Sequence, residues 1–141
     1  MTSNLTPSSP SPATSIIPLT ERSLGQLPAP VRKPQYDRRA VTPGIVHIGV
    51  GGFHRAHQAL YLDNYLEQHP DSGWGICGVG LLEFDQKMRD VLVAQGGLYT
   101  LVERSPDHDT ARVIGAIIRS LYAPEDRQGV IDTLADPHCR I

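Results

Sequence analysis

No apolar run in this 141-residue sequence approaches the roughly 18 consecutive residues that a bilayer-spanning helix needs, which argues against a membrane protein. Excess charge of either sign is absent too. The formal net charge is -2, and basic side chains are scattered, adjacent only at Arg32-Lys33 and Arg38-Arg39. That balance speaks against nucleic acid or an anionic membrane surface as the main partner. Cysteine is scarce: Cys77 and Cys139 lie far apart, which favours small reduced residues of an intracellular protein over a disulfide framework. The amino terminus lacks a charged-then-apolar leader, and its first basic side chain is Arg22, so the expected location is the cytoplasm. Lysine is nearly missing, with only Lys33 and Lys87.

What is present divides near residue 40. Residues 1–20 are dominated by Ser, Thr and Pro and carry too little apolar surface to offset the entropy of ordering them. Residues 21–40 continue with Pro28, Pro30 and Pro34 and read as an extended stretch over the folded unit, with room for one helical turn near Leu24. Residues 1–39 together are thus expected to form a disordered arm ahead of a domain spanning 40–141.

From Val41 the pattern alternates between strand and helix. Ile45-Val46-His47-Ile48 is a β-branched run between Gly44 and Gly49, the mark of a buried strand. Residues 55–68 contain no Gly or Pro and repeat Ala59, Leu62 and Leu66 at helical spacing, up to the stop at His69-Pro70. A second strand is expected over 74–81 and a second helix over 84–95, ended by Gly96-Gly97. Residues 98–103 and 112–121 read as two strands joined by a polar turn. Pro124 suits the first turn of a third helix running to about Ala135, and residues 139–141 look like the start of another strand. The β-α-β-α order predicts an α/β fold with a largely parallel sheet, part of a Rossmann-type dinucleotide-binding domain. A sheet of this kind with an unpaired edge is expected to be poorly stable by itself.

The densest chemical signal is Gly49-Val50-Gly51-Gly52-Phe53-His54-Arg55-Ala56, placed directly after the first strand and before the first helix. In that context glycines have a mechanism. The first permits a tight turn, the second lets the backbone approach a pyrophosphate, and the helix start offers unpaired N–H groups to the anion. The third position of G-x-G-x-x-G is His54, which puts the closest helix–strand packing in question. The plainer alternative is a glycine-rich turn with no ligand. A ribose diol also calls for a carboxylate after the second strand, and Leu81-Leu82-Glu83-Phe84-Asp85 supplies two. A carboxylate there favours NAD over NADP, and no Arg or Lys lies between Arg55 and Lys87 to receive a 2′-phosphate. Asp85 serves equally well as an ordinary first-turn residue. His47, His54 and His57 lack the cysteine or carboxylate that would complete a metal site, and read as one buried and two helix-terminal side chains.

The run from Gly44 to His57 closely resembles the amino-terminal signature of the mannitol dehydrogenase family of polyol-specific long-chain dehydrogenases. Ile76-Cys77-Gly78-Val79-Gly80-Leu81, Tyr99-Thr100-Leu101 and Val113-Ile114-Gly115 resemble further segments in matching order, and Phe84-Asp85 with Glu103-Arg104-Ser105 looks nearer to fungal members. The resemblance covers about residues 40–141. It implies an oxidoreductase that interconverts D-mannitol and D-fructose with NAD and without a metal. It places Ile45, Val46, His47, Ile48, Gly49, Val50, Gly51, Gly52, Phe53, His54, Arg55 and Ala56 on the cofactor, and Asp85 on its ribose. It also implies that the lysine, asparagine and histidine of the chemical step stand in a K-x-x-x-x-N-x-x-H motif of a separate carboxyl-terminal domain. Neither Lys33 nor Lys87 has an Asn at that spacing. The chain is therefore expected to hold cofactor-binding residues, no catalytic ones and no polyol site of its own, and to be inactive alone. The alternative is a non-catalytic nucleotide-binding or interaction module.

Overall fold

A computed structural model describes residues 16–70 and 72–141. Three parallel strands form the main sheet in the order β1 (Pro43–Ile48), β2 (Gly75–Gly80), β5 (Ile117–Tyr122). β2 is paired on both sides and buried along its whole length, as expected of a central parallel strand. Between β1 and β2 run α1 (Gly52–Ala56) and α2 (Gln58–Gln68), and α3 (Asp85–Ala94) follows β2. A separate antiparallel hairpin, β3 (Tyr99–Arg104) and β4 (Asp109–Ile114), then precedes β5.

Strand alternation sorts the layers. Ala59 and Leu66 of α2 and Leu92 of α3 join Ile45, Ile76 and Ile117 in one core cluster. Asp85, Met88 and Leu92 of α3 stand over Gly78, Gly80 and Ser120 on the same face. Cys77 and its register partner Arg119 point the other way, where α4 (Arg127–Ala135) lies, with Arg119 Nη1 donating to Thr133 Oγ1 at 3.0 Å. The result is helix, sheet, helix. Burial, against the opposing pull of the Arg119 charge, pushes the Cys77 thiol up to about 11, which keeps it an inert packed group.

After α4 the chain returns to the free side of β1. Residues 139–141 have no regular strand geometry, yet Arg140 N donates to Gly44 O at 2.9 Å and Val46 N to Ile141 O at 2.8 Å. β1 is therefore flanked by β2 on one side and by residues 140–141 on the other. The chain order reverses between those neighbours, which is where open α/β sheets leave a crevice beyond their carboxyl ends.

Four expectations are corrected. First, the run 112–121 is two strands, because the peptide of Gly115 is gripped from both sides. Its N–H donates to Asp63 Oδ1 at 2.8 Å and its carbonyl accepts from Arg38 Nε at 2.8 Å, which turns the chain from hairpin to sheet. Second, the helix expected over 55–68 breaks at His57 (φ -123°, ψ -79°), whose Nδ1 meets the Phe53 carbonyl at 2.9 Å. Third, α4 starts after Pro124: Asp126 is its N-cap and accepts from Gly129 N at 2.8 Å. Fourth, the arm expected to be disordered over 1–39 is placed from residue 16 onward, while residues 1–15 lie outside the described residues. Glu21–Gln26 and Arg38–Ala40 are 3-10 turns, and Tyr36 and Arg38 are buried. Arg32 pairs with β4 through Val113 N to Arg32 O at 2.7 Å, and Arg38 also reaches the carbonyls of Gly96 and Ile117 and the carboxylate of Glu21. Side-chain hydrogen bonds, invisible in composition, hold this stretch.

Candidate functional site: the glycine loop at the sheet edge

The loop leaves β1 at Gly49, whose φ of +85° is open to glycine at little cost. Its amide donates to Val79 O at 2.8 Å, so the turn is anchored on the central strand. The side chain of Val50 drops into the space left by Gly78: a Cβ there would stand 2.5 Å from Val50 Cγ2. Gly51 N donates back to Gly49 O at 2.9 Å, and the first intrahelical bond runs from Arg55 N to Gly51 O at 3.1 Å. Three of the seven amides in residues 49–55 are therefore internally bonded. Those of Val50, Gly52, Phe53 and His54 have no backbone or side-chain acceptor among the described residues. A Cβ added at Gly49, Gly51 or Gly52 would meet nothing within 4 Å, so the space above the loop is open.

Facing the loop is the turn from β2 to α3. Ile48, Gly49 and Gly51 with Leu81, Leu82, Phe84 and Asp85 line one crevice of about 330 Å³. Its walls are apolar and exposed, Phe84 at 73% and Leu82 at 55%. Asp85 Oδ2 accepts from the amides of Leu81 and Leu82 at 3.0 and 2.9 Å, which shapes the turn, and Oδ1 makes no hydrogen bond among the described residues. One Asp85 oxygen thus shapes the turn and the other is left free to accept. Glu83, the other carboxylate of that segment, is exposed and outside the crevice lining.

The remaining candidates scatter. Ile45 belongs to the core, and Val46 gives its amide to Ile141. Ala56 is half-buried in α1, and Arg55 turns toward Tyr99, whose hydroxyl donates to Arg55 O at 2.7 Å. Among the described residues no three His, Cys, Asp or Glu side chains gather to hold a metal ion, and no helix is long and apolar enough to cross a membrane. Sequence reasoning missed the apolar wall of Leu81, Leu82 and Phe84. The signal available was an apolar pair directly after a glycine-rich buried strand.

The histidines also differ from expectation. The buried one is His54, 5% exposed, and its ring stacks on His47 of β1 with centroids 3.7 Å apart and planes 14° from parallel. Burial, then the neighbouring His47, lowers the His54 imidazole from 6.5 to about 4, and burial lowers His47 in the same direction. Between about pH 6.5 and 4 the unfolded chain binds a proton at His54 that the folded chain refuses. Stability contributed by the neutral ring is therefore complete above pH 6.5 and falls as pH drops toward 4, by on the order of 3 kcal/mol. Urea midpoints at pH 7, 5.5 and 4.5 check this. The decline should flatten in His54→Phe, and an equal decline in that variant contradicts the assignment.

A family model for the mannitol dehydrogenase Rossmann domain matches residues 43–141. Mannitol 2-dehydrogenase of Aspergillus fumigatus is 50% identical over 128 residues, covering 87% of this chain and 26% of that protein. The enzyme of that name from Pyricularia oryzae is 50% identical over 111 residues, 79% of this chain and 22% of the relative. Among solved structures, Pseudomonas fluorescens mannitol 2-dehydrogenase in ternary complex with NAD and D-mannitol superposes with a TM-score of 0.80 at 45% identity. It covers 86% of this chain and 25% of that one. A substrate-free D-sorbitol dehydrogenase gives 0.78 at 44% identity, with the same coverage of both chains. The chain spans about a quarter of the length of these relatives. With a partial Rossmann-type sheet, a glycine turn at its carboxyl edge and a family match over residues 43–141, the chain belongs to the mannitol dehydrogenase family.

Proposed function

We propose that this chain binds NAD in the crevice between residues 48–54 and 81–85 and forms the cofactor-binding part of an NAD-dependent polyol dehydrogenase that interconverts D-mannitol and D-fructose. The observation that carries the reading is the open, glycine-floored crevice at the carboxyl ends of β1 and β2, with unpaired amides at Val50 and at the start of α1. A diphosphate fits such a floor. The amides of Gly52, Phe53 and His54 hold it, and the bare Gly49, Gly51 and Gly52 allow the backbone to approach. The free oxygen of Asp85 accepts from a ribose diol and repels a 2′-phosphate. Leu81, Leu82 and Phe84 supply an apolar wall that excludes water beside the nucleoside. When bound, NAD supplies the acceptor for hydride from the polyol carbon.

Proton transfer lies outside these residues. Neither Lys33 nor Lys87 stands in the lysine–asparagine–histidine spacing that the family uses, and Lys33 Nζ is bonded to Leu24 O. The chain therefore binds cofactor without turning over polyol, and the polyol contacts belong to a carboxyl-terminal domain of the complete enzyme. Two free cysteines, one of them buried, are consistent with a cytoplasmic setting.

Titration of the 141-residue chain with NADH and NADPH, followed by nicotinamide fluorescence, tests the reading. Saturable NADH binding is expected, with NADPH at least about tenfold weaker, a difference of about 1.4 kcal/mol. No mannitol oxidation with NAD should be detected. Absent NADH binding by folded chain overturns the cofactor assignment, and measurable turnover overturns the claim of inactivity.

A further inference from the structure

The phosphate-loop fingerprint asks for three glycines, and this loop carries His54 at the third place. We propose that His54 is a positioning residue for the loop: its ring, stacked flat on His47, is the spacer that sets how far the start of α1 stands from β1. The relevance to cofactor rests on the NAD reading above, whereas the spacer geometry does not. In a G-x-G-x-x-G turn the third glycine lets helix and strand come into closest contact. Here two parallel imidazoles fill that gap, one from each element, with centroids 3.7 Å apart.

The His54 ring is held in place. His54 Nδ1 lies 2.9 Å from Gln58 Oε1 at the first turn of α2, and His54 is almost fully buried. With Oε1 as acceptor, Nδ1 carries the proton and Nε2 keeps its lone pair. Nε2 is buried without a partner, a smaller penalty for an acceptor-only nitrogen than for a stranded N–H. The stack therefore joins β1, through two rings, to the helix that carries Gly52, Phe53 and His54. The charged or titratable groups that act on His54 are His47 from β1 and Arg55 from its own helix, while α2 contributes the neutral Gln58. Burial first, and then these two groups, hold the His54 imidazole down, and burial lowers His47 in the same direction.

A flat ring is the property that matters, which separates this role from simple filling of space. His54→Phe retains a planar partner for His47, His54→Leu retains bulk without planarity, and His54→Ala removes both. In 15N-labelled chain without ligand, the amide signals of Gly49, Gly51 and Gly52 are expected to shift in the Ala and Leu variants and to stay near wild type in Phe. NADH affinity should fall about tenfold or more in Ala and Leu and recover most of that loss in Phe. Ile114→Val serves as the control. It loosens the core away from the loop and should lower the melting temperature with loop signals and affinity retained. Unmoved loop amides in both Ala and Leu overturn the spacer, as does a Phe variant that behaves like Leu. If the wild-type chain does not bind NADH, the cofactor reading falls, and the ligand-free amide shifts still decide the spacer.

Discussion

Asp63→Ala is expected to lower the folding free energy by about 3–5 kcal/mol, the usual cost of removing one partner from a buried ion pair. Asp63 is fully buried on α2, and every oxygen is used. Oδ1 accepts from the Tyr36 hydroxyl at 2.7 Å and from Gly115 N at 2.8 Å, and Oδ2 accepts from Arg112 Nη2 at 2.8 Å. Removing the carboxylate strands the Arg112 guanidinium, 7% exposed, which already has a buried Nε without a partner. It also releases Gly115, the hinge between hairpin and sheet, and Tyr36, one of several side chains that tie residues 16–40 to the body. Burial, and then the Asp63 carboxylate, pushes the Tyr36 hydroxyl far above its ordinary range, so that hydroxyl stays a donor at every working pH. A domain of this size has about 5–15 kcal/mol in total, so the loss is a large share of its stability and should lower the melting temperature markedly. Urea unfolding followed by circular dichroism measures the change. A loss under about 1 kcal/mol contradicts the central place of this carboxylate. Replacing Asp63 and Arg112 together by apolar residues should recover much of the loss, since the stranded charge is then gone.

Gly51→Asp is the second large effect, and it falls on binding rather than on folding. A Cβ at Gly51 enters open space, and its φ of -81° suits any residue. The melting temperature should therefore hold within a few degrees. In the proposed site the new carboxylate stands where the diphosphate would approach. At about 5 Å and an effective dielectric near 20, each pair of like charges costs about 3 kcal/mol, enough for a loss of about 100-fold or more. Gly51→Ala, which adds bulk without charge, should lose less. Calorimetric titration with NADH compares all three proteins. Equal affinity in wild type and Gly51→Asp removes the loop from the cofactor site.

The loop itself is legible in the sequence. Glycines at 49, 51 and 52 between a β-branched run and a helical pattern are local chemistry, and local chemistry survives folding. Asp85 was legible as a candidate in the same way, because it follows a buried strand at the expected distance. Which amides remain free was not. Gly49 and Gly51 donate to carbonyls on β2 and within the turn, a pairing settled by strand register and turn geometry. Only Val50 and the start of α1 keep amides free for an anion.

Strand and helix positions, the parallel α/β class and the family signature follow from the order of residues, since periodicity and glycine spacing act over a few neighbours. Tertiary structure decided the rest through contacts distant in sequence. Asp63 and Arg38 meet across Gly115 and cut one apolar run into two strands, while Tyr36 and Arg38 bind a proline-rich stretch that composition marks as loose. His47 and His54 become a stacked spacer only because β1 and α1 fold face to face. A buried charge or ring has its role set by what surrounds it, and those surroundings exist only once the sheet has formed.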